Sequence, residues 1–159
     1  MSDNGFVYLT QDRLLELEKD MKEMKTNGRK DIAAKIAEAR SHGDLSENAE
    51  YDAAKEEQLL FEMKIAKLES VLARVRLIES SQFENGAIHI LSKVKIRNTK
   101  TMKEYSYYMV SPEEADFSAG KLAITSPIGK GLLGRKVGEI AKIQVPAGVQ
   151  EFEILEINL

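Results

Sequence analysis

The chain of 159 residues contains no cysteine and no tryptophan, and it has only two histidines. Without cysteine, disulfides, thiolate catalysis and cysteine-bound zinc or iron–sulfur sites are excluded, and a reducing compartment is favoured. His42 and His89 are too few for a histidine-rich metal site. No apolar run approaches the roughly 18 residues of a transmembrane helix, and the first residues, MSDNG, lack the pattern of a signal peptide. We therefore expect a cytoplasmic protein without a membrane partner.

An excess of positive charge is also lacking. The chain has 23 basic and 26 acidic residues, and the negative excess lies before residue 78, where 13 basic residues stand against 16 acidic ones. Proteins that bind nucleic-acid duplexes neutralise several phosphates with clustered basic side chains. Autonomous nucleic-acid binding is therefore not expected, although a local basic patch could still touch a phosphate backbone.

Proline is absent between residues 10 and 77, and glycine occurs there only as Gly28 and Gly43. The abundant Ala, Leu, Glu, Lys and Met are helix formers, and the apolar residues recur in steps of three and four, like the seam of a coiled coil. The seam residues are Leu14, Leu17, Met21, Met24, Ile32, Ile36 and Ala39 in a first stretch, and Phe61, Ile65, Leu68, Leu72 and Val75 in a second. Thr10 is the predicted N-cap of the first helix, and Gly28 is a weak point or kink rather than a stop.

The two helical stretches are separated by a short polar turn that contains Gly43, a natural helix-ending residue. Two helices joined by a short turn run antiparallel, and residues 11–41 would form an arm about 45 Å long. The prediction is an antiparallel coiled-coil helical hairpin over residues 1–79. Because one hairpin satisfies its own seam, we expect a monomer.

From residue 78 onward, the pattern changes to the alternation that is typical of strands. Strands are predicted within residues 88–96, 104–110, 139–145 and 151–157, and a further strand ends near Ser126, before a helical turn in 127–134. A linker is expected at residues 80–86 and a small, mostly antiparallel β domain at 87–159. The predicted fold class is therefore α+β.

Two carboxylates, Asp44 and Glu47, lie three residues apart in the turn of the hairpin. The structural interpretation is a capping box, with Asp44 as N-cap and Glu47 at the third helical position, and on spacing alone this is the commoner meaning. The functional interpretation is a magnesium site, since Mg²⁺ is often held by one or two carboxylates, water and substrate phosphate. Two carboxylates alone make an incomplete site, so they would need ligands from another molecule.

The residues around this turn, 36–56 (IAEARSHGDLSENAEYDAAKE), resemble the tip region of the bacterial transcript cleavage factors GreA and GreB. In the second half, Asp116-Phe117, residues 126–134 (SPIGKGLLG) and residues 151–154 (EFEI) resemble the C-terminal domain of that family. The resemblance covers nearly the whole chain, with both domains in order.

Members of that family insert the coiled coil through the secondary channel of RNA polymerase, while an FKBP-like C-terminal domain docks at the rim of the channel. The resemblance thus implies an accessory factor rather than an enzyme. Asp44 and Glu47 would stabilise a second Mg²⁺ in the polymerase's own site, where backtracked nascent RNA is hydrolysed. No cofactor of the chain's own is implied.

The resemblance also implies roles for other residues near the tip. Arg40 and Lys55 correspond to the family's basic patch near the backtracked RNA, and Lys55 stands where arginine is usual. Leu45 and Ser46 belong to the packing of the tip, with Ser46 at a position where lysine is common. Tyr51 either packs on a base or on the polymerase, or covers Leu45.

In the β domain, Ser126 and Pro127 belong by resemblance to the surface that docks at the rim, or they only mark the change from strand to turn. Two other functions stay open. A non-cleaving regulator in the same channel is disfavoured because both carboxylates are retained. A prolyl isomerase is disfavoured because only 6% of the residues are aromatic, and because a fold alone does not transfer activity.

Overall fold

The structure is a computed structural model that describes residues 5–43, 48–79 and 86–158. The chain divides into two compact units: Gln11–Arg74, and the residues up to Thr10 together with those from Val75 onward. The first unit is helical and the second is mostly β, so the predicted α+β class is confirmed. The division differs from the predicted boundary at residue 79, and residues 80–85 of the predicted linker lie outside the described residues.

Two short strands explain why the residues before Gln11 and after Arg74 belong to the β unit. β1 (Val7–Leu9) pairs in parallel with β2 (Val75–Leu77), and the backbone N–H of Tyr8 donates to Ser111 Oγ at 2.9 Å. Val7 and Leu9 are almost completely buried. The sequence pattern places Val75 in the helical seam. This prediction is wrong, because Val75 begins β2. The partner strand β1 is far away in sequence, so the pairing leaves no local signal.

The helical unit is a hairpin with two arms. α1 (Gln11–Glu23) continues through a π-helical turn at Met24–Gly28 into α2 (Arg29–Ser41), and α3 (Ala49–Ala73) forms the second arm. Ion pairs cross between the arms, and the residue numbers on one arm fall as those on the other rise, so the arms are antiparallel as predicted. These pairs are Lys25–Glu69, Arg29–Glu62 and Lys35–Glu57. Every predicted seam residue that lies in a helix is buried or half-buried.

Gly28 does not end the first arm, because its backbone stays helical at φ −60° and ψ −45°. In a coiled coil, apolar residues recur in alternating steps of three and four, an average of 3.5 residues. From Met24 through Gly28 to Ile32, two steps of four follow each other. The apolar stripe would therefore turn away from the partner arm in a regular α-helix. A π-helical turn, with i→i+5 bonds, holds more residues per turn and absorbs this rotation. A Cβ at position 28 would collide with the ring of Phe61, so glycine lets that ring lie against the backbone of the first arm.

The β unit is built on a five-stranded sheet with the order β5-β4-β3-β7-β6. Its strands are β3 (Lys93–Asn98), β4 (Glu104–Val110), β5 (Lys121–Ala123), β6 (Ile140–Val145) and β7 (Gly148–Asn158). All neighbours are antiparallel except β4 and β5. The helix α4 (Pro127–Leu132) connects the two edge strands and packs on β6, and Ile96, Leu132 and Ile154 lie in the core.

One predicted strand begins later than expected. The alternation from residue 88 suggested a strand over 88–96, but β3 starts at Lys93. A tight turn precedes it, in which the N–H of Ser92 donates to the carbonyl of His89 at 3.1 Å and Leu91 has a φ of +68°.

Among the helices of the described ranges, none is long and apolar enough to cross a membrane.

Candidate functional site at the hairpin tip

The two arms of the hairpin end on either side of the candidate carboxylates. α2 ends at Ser41, and Gly43 follows with a φ of +111°, in the left-handed region that favours glycine at a helix end. α3 begins at Ala49. Asp44, Glu47, Leu45 and Ser46 lie outside the described residues. Their roles as metal ligands and as packing residues therefore stay predictions.

The N-cap of α3 is Asn48, which has an extended backbone and whose Oδ1 accepts a hydrogen bond from the backbone N–H of Tyr51 at 3.0 Å. The capping interpretation placed Asp44 at the N-cap and Glu47 three positions into the helix. That interpretation is wrong for α3, because the helix begins after both residues. Asn caps helices as well as Asp does, so Asn48 was an equally good N-cap candidate on sequence grounds.

The side chain of Asn48 also reaches the other arm. Its Nδ2 donates to the carbonyl oxygen of Ala39 in the last turn of α2, at 2.6 Å. One amide group thus caps α3 with its oxygen and binds α2 with its nitrogen. The two arms are joined at the base of the tip by this bridging side chain, a link that sequence reasoning did not predict.

Arg40 and Tyr51, both predicted site residues, are brought together. The guanidinium carbon of Arg40 lies 5.6 Å from the centre of the Tyr51 ring, a cation–π arrangement across the two arms. Tyr51 is half-buried and packs against a cluster that contains Ile32, Ile36 and Ala54. The ring is therefore anchored in the hairpin, and it holds the charged end of Arg40 near the tip.

Two further charged contacts lie near the tip. His42 Nε2 and Glu50 Oε2 are 3.4 Å apart across the two arms, and both side chains are more than half exposed. Lys55 is exposed on α3 and donates to Gln58 Oε1 at 2.8 Å, so its contact is within its own helix rather than with Arg40. We call Arg40, His42, Asn48, Glu50 and Tyr51 the tip collar, because they link the arms beside residues 44–47.

The predicted docking residues begin α4 in the β unit. Ser126 is its N-cap: Oγ accepts from the N–H of Gly129 at 3.0 Å and donates to the carbonyl of Ala123 at 2.7 Å. Pro127 is the first helical residue, where proline is favoured because no N–H is needed, and it is exposed. Ser126 thus has a structural role, while the docking role of both residues stays a prediction.

Within the described ranges, no group of three or more His, Asp or Glu side chains is arranged to hold a metal ion. Asp44 and Glu47 lie outside these ranges.

Comparison with known proteins addresses the chain as a whole. A family model for the N-terminal domain of transcription elongation factors matches residues 7–77, and the model for the C-terminal domain of transcription elongation factors GreA/GreB matches residues 84–159. This chain belongs to the GreA/GreB family. The resemblance seen in the tip and in the second half of the sequence is thereby confirmed.

Individual members of the GreA/GreB family are similar over nearly their whole length. The transcription elongation factor GreA of Amoebophilus asiaticus is 52% identical over 151 residues, covering 95% of this chain and 96% of that protein. The GreA of Flavobacterium johnsoniae is 53% identical with the same coverage. Among solved structures, the GreA factor homolog 1 (Gfh1) of Thermus thermophilus is 27% identical, covers 97% of this chain and 99% of its own, and has a TM-score of 0.45.

Proposed function

We propose that this member of the GreA/GreB elongation factors enters the secondary channel of RNA polymerase with its helical hairpin. There it stimulates the polymerase's own endonucleolytic cleavage of backtracked nascent RNA and so rescues arrested complexes. The observation that carries the proposal is that Asn48 caps α3. Asp44 is therefore not the N-cap of α3, which favours the magnesium-site interpretation of the acidic pair.

Asp44 and Glu47 would hold a Mg²⁺ ion together with ligands from the polymerase and the RNA. Their carboxylate oxygens are the donors that this ion prefers, and two of them leave most coordination positions for other ligands. The ion, when bound, supplies Lewis acidity for the attacking water or the leaving oxygen. The contribution of this chain is to bring two negative charges to the polymerase's site, which makes it an accessory factor and not an enzyme.

Arg40 and Lys55 would contact the phosphate backbone of the backtracked RNA. The guanidinium of Arg40 is held over the Tyr51 ring, so its donors are partly ordered before RNA arrives. Lys55 supplies a point charge without the two-pronged geometry of arginine, so we assign it the weaker contact. With a net charge of −3, the chain has no general excess of positive charge, so we assign the RNA contact to this local patch.

Ser126 and Pro127 would dock the β unit at the rim of the channel. Pro127 is exposed and rigid, and the cap at Ser126 fixes the backbone that presents it. In this proposal the β unit docks and the hairpin takes part in the chemistry. Substitutions in the β unit should therefore change the affinity for the polymerase, and substitutions at the tip should change the cleavage rate.

The experiment that tests this function uses backtracked elongation complexes whose RNA is labelled at its 5′ end. Adding the full chain should shorten the RNA, and the shortened RNA should be extended again on addition of nucleotides. The matched control is a polymerase whose own metal-binding carboxylates are replaced, with which no cleavage is expected. Binding without cleavage would favour the non-cleaving regulator, and cleavage of free RNA without polymerase would contradict the accessory role.

A further inference from the structure

Asn48 is the first described residue after the candidate carboxylates and directly follows Glu47 in the sequence. Both ends of its half-buried amide are engaged: Oδ1 accepts from the N–H of Tyr51 at 3.0 Å, and Nδ2 donates to the carbonyl of Ala39 at 2.6 Å. The first bond sets where α3 starts. The second bond binds that start to the last turn of α2.

The other contacts of the tip collar tie the arms less firmly. The His42–Glu50 pair is more than half exposed on both sides, and exposed pairs of this kind contribute little. The Arg40–Tyr51 contact joins two side chains and touches the backbone of neither arm. The hydrogen bonds of Asn48, in contrast, end on backbone atoms of both arms, so they act directly on the path of the chain.

Backbone anchoring matters because a shared metal site depends on where its ligands are held. A misplacement of about 1 Å can reduce a rate by about 100-fold, and ligands need supporting hydrogen bonds to stay in the productive position. The four residues that carry both carboxylates are bounded by Gly43 and Asn48. Of these two, only Asn48 has a side chain that can fix the distance between the arms.

We infer that Asn48 is a positioning residue for the tip carboxylates: by bridging α2 and the start of α3, it sets the separation of the two chain ends between which Asp44 and Glu47 are held. The inference rests on the proposed function and adds a residue that the sequence analysis did not assign. Asn48 acts through the backbone and not by touching the metal or the RNA.

The deciding variant is Asn48→Asp. Asp keeps the oxygen that caps α3 and is as good an N-cap as Asn, but it has no N–H to donate to the carbonyl of Ala39. Asn48→Ser likewise keeps a capping oxygen without the reach or the amide donor, and it adds no charge. Each variant loses one hydrogen bond, so both should stay folded and melt only slightly below the wild-type temperature. At saturating concentration, both should cleave the RNA of backtracked complexes about tenfold more slowly or worse, with a half-saturating concentration within about twofold of wild type.

The matched control is Glu57→Gln, which removes the charge from one partner of the cross-arm ion pair between Lys35 and Glu57 farther along the hairpin. This variant should retain the wild-type maximal rate. If Asn48→Asp reaches the wild-type rate, or if it changes only the half-saturating concentration, the positioning role is wrong while the proposed function stands. An equal loss of maximal cleavage rate in Glu57→Gln would also overturn the positioning role. The loss would then follow from weakening any contact between the arms and not from the bridge made by Asn48. If the wild-type chain itself stimulates no cleavage, the proposed function fails, and the inference fails with it.

Discussion

A single missing side chain decides how the two arms of the hairpin meet at position 28. The ring of Phe61 occupies the space that a Cβ there would need. A glycine inside a helix is unfavourable by about 0.5–1 kcal/mol relative to alanine, so its presence in a continuous helical arm requires a compensating contact. The packing of Phe61 against the first arm provides that contact.

Gly28→Ala should therefore lower the free energy of unfolding by about 1 kcal/mol, because overpacking costs about 1–3 kcal/mol and exceeds the gain in helix propensity. Chemical denaturation followed by far-UV circular dichroism measures the change. The same substitution in a Phe61→Leu background should become neutral or stabilising, because leucine lacks the outer ring atoms. If Gly28→Ala stabilises both backgrounds equally, the ring does not fill this space.

Among the elements, ion pairs link the two arms of the hairpin, and each contributes little to stability by itself. Lys25–Glu69, Arg29–Glu62 and Lys35–Glu57 are all substantially exposed, and such pairs contribute little individually. The hydrogen bond from Lys25 and the charge of that lysine hold the pKa of Glu69 below its ordinary value. Its charged form is thus favoured in the folded hairpin.

This shift gives a prediction with a definite sign. A carboxylate with a lowered pKa stabilises the fold above its unfolded pKa, and the contribution is lost as the pH falls through the folded value. Glu69→Gln should therefore lower the melting temperature slightly at about pH 7 and leave it unchanged at about pH 2.5. Added salt should reduce the difference at neutral pH. A difference that is the same at both pH values would contradict the assignment.

The sequence predicted an element well where the periodicity of its own apolar residues was enough to define it. β4 coincides with the predicted strand over 104–110, and the seam residues of α2 and α3 are buried or half-buried. β1 and β2 were missed because each needs a partner that is remote in sequence. The cap of α3 was misplaced because Asp44 and Asn48 are equally good N-caps, and only the observed helix start distinguishes them.

On the scale of the whole molecule, two compact units and two family models correspond to two predicted tasks. If docking belongs to the β unit, Pro127→Ala should raise the half-saturating concentration for cleavage about fivefold, equivalent to about 1 kcal/mol, without changing the maximal rate. Pro112→Ala is the matched control, since Pro112 is also an exposed proline that begins a short helical turn. Equal effects of the two substitutions, or a loss of maximal rate in Pro127→Ala, would contradict the docking role.

In the proposed function, the tip carboxylates serve metal chemistry and not helix capping. The most direct test is the maximal rate of RNA cleavage with Asp44→Asn. Because Asn48 caps α3, this variant should keep its melting temperature and compete with wild type for the polymerase. It should cleave about 100-fold more slowly or worse, the scale of losing one electrostatic contact in a transition state. Glu47→Gln should behave in the same way. A folded, polymerase-bound Asp44→Asn protein that cleaves at the wild-type rate would contradict the account.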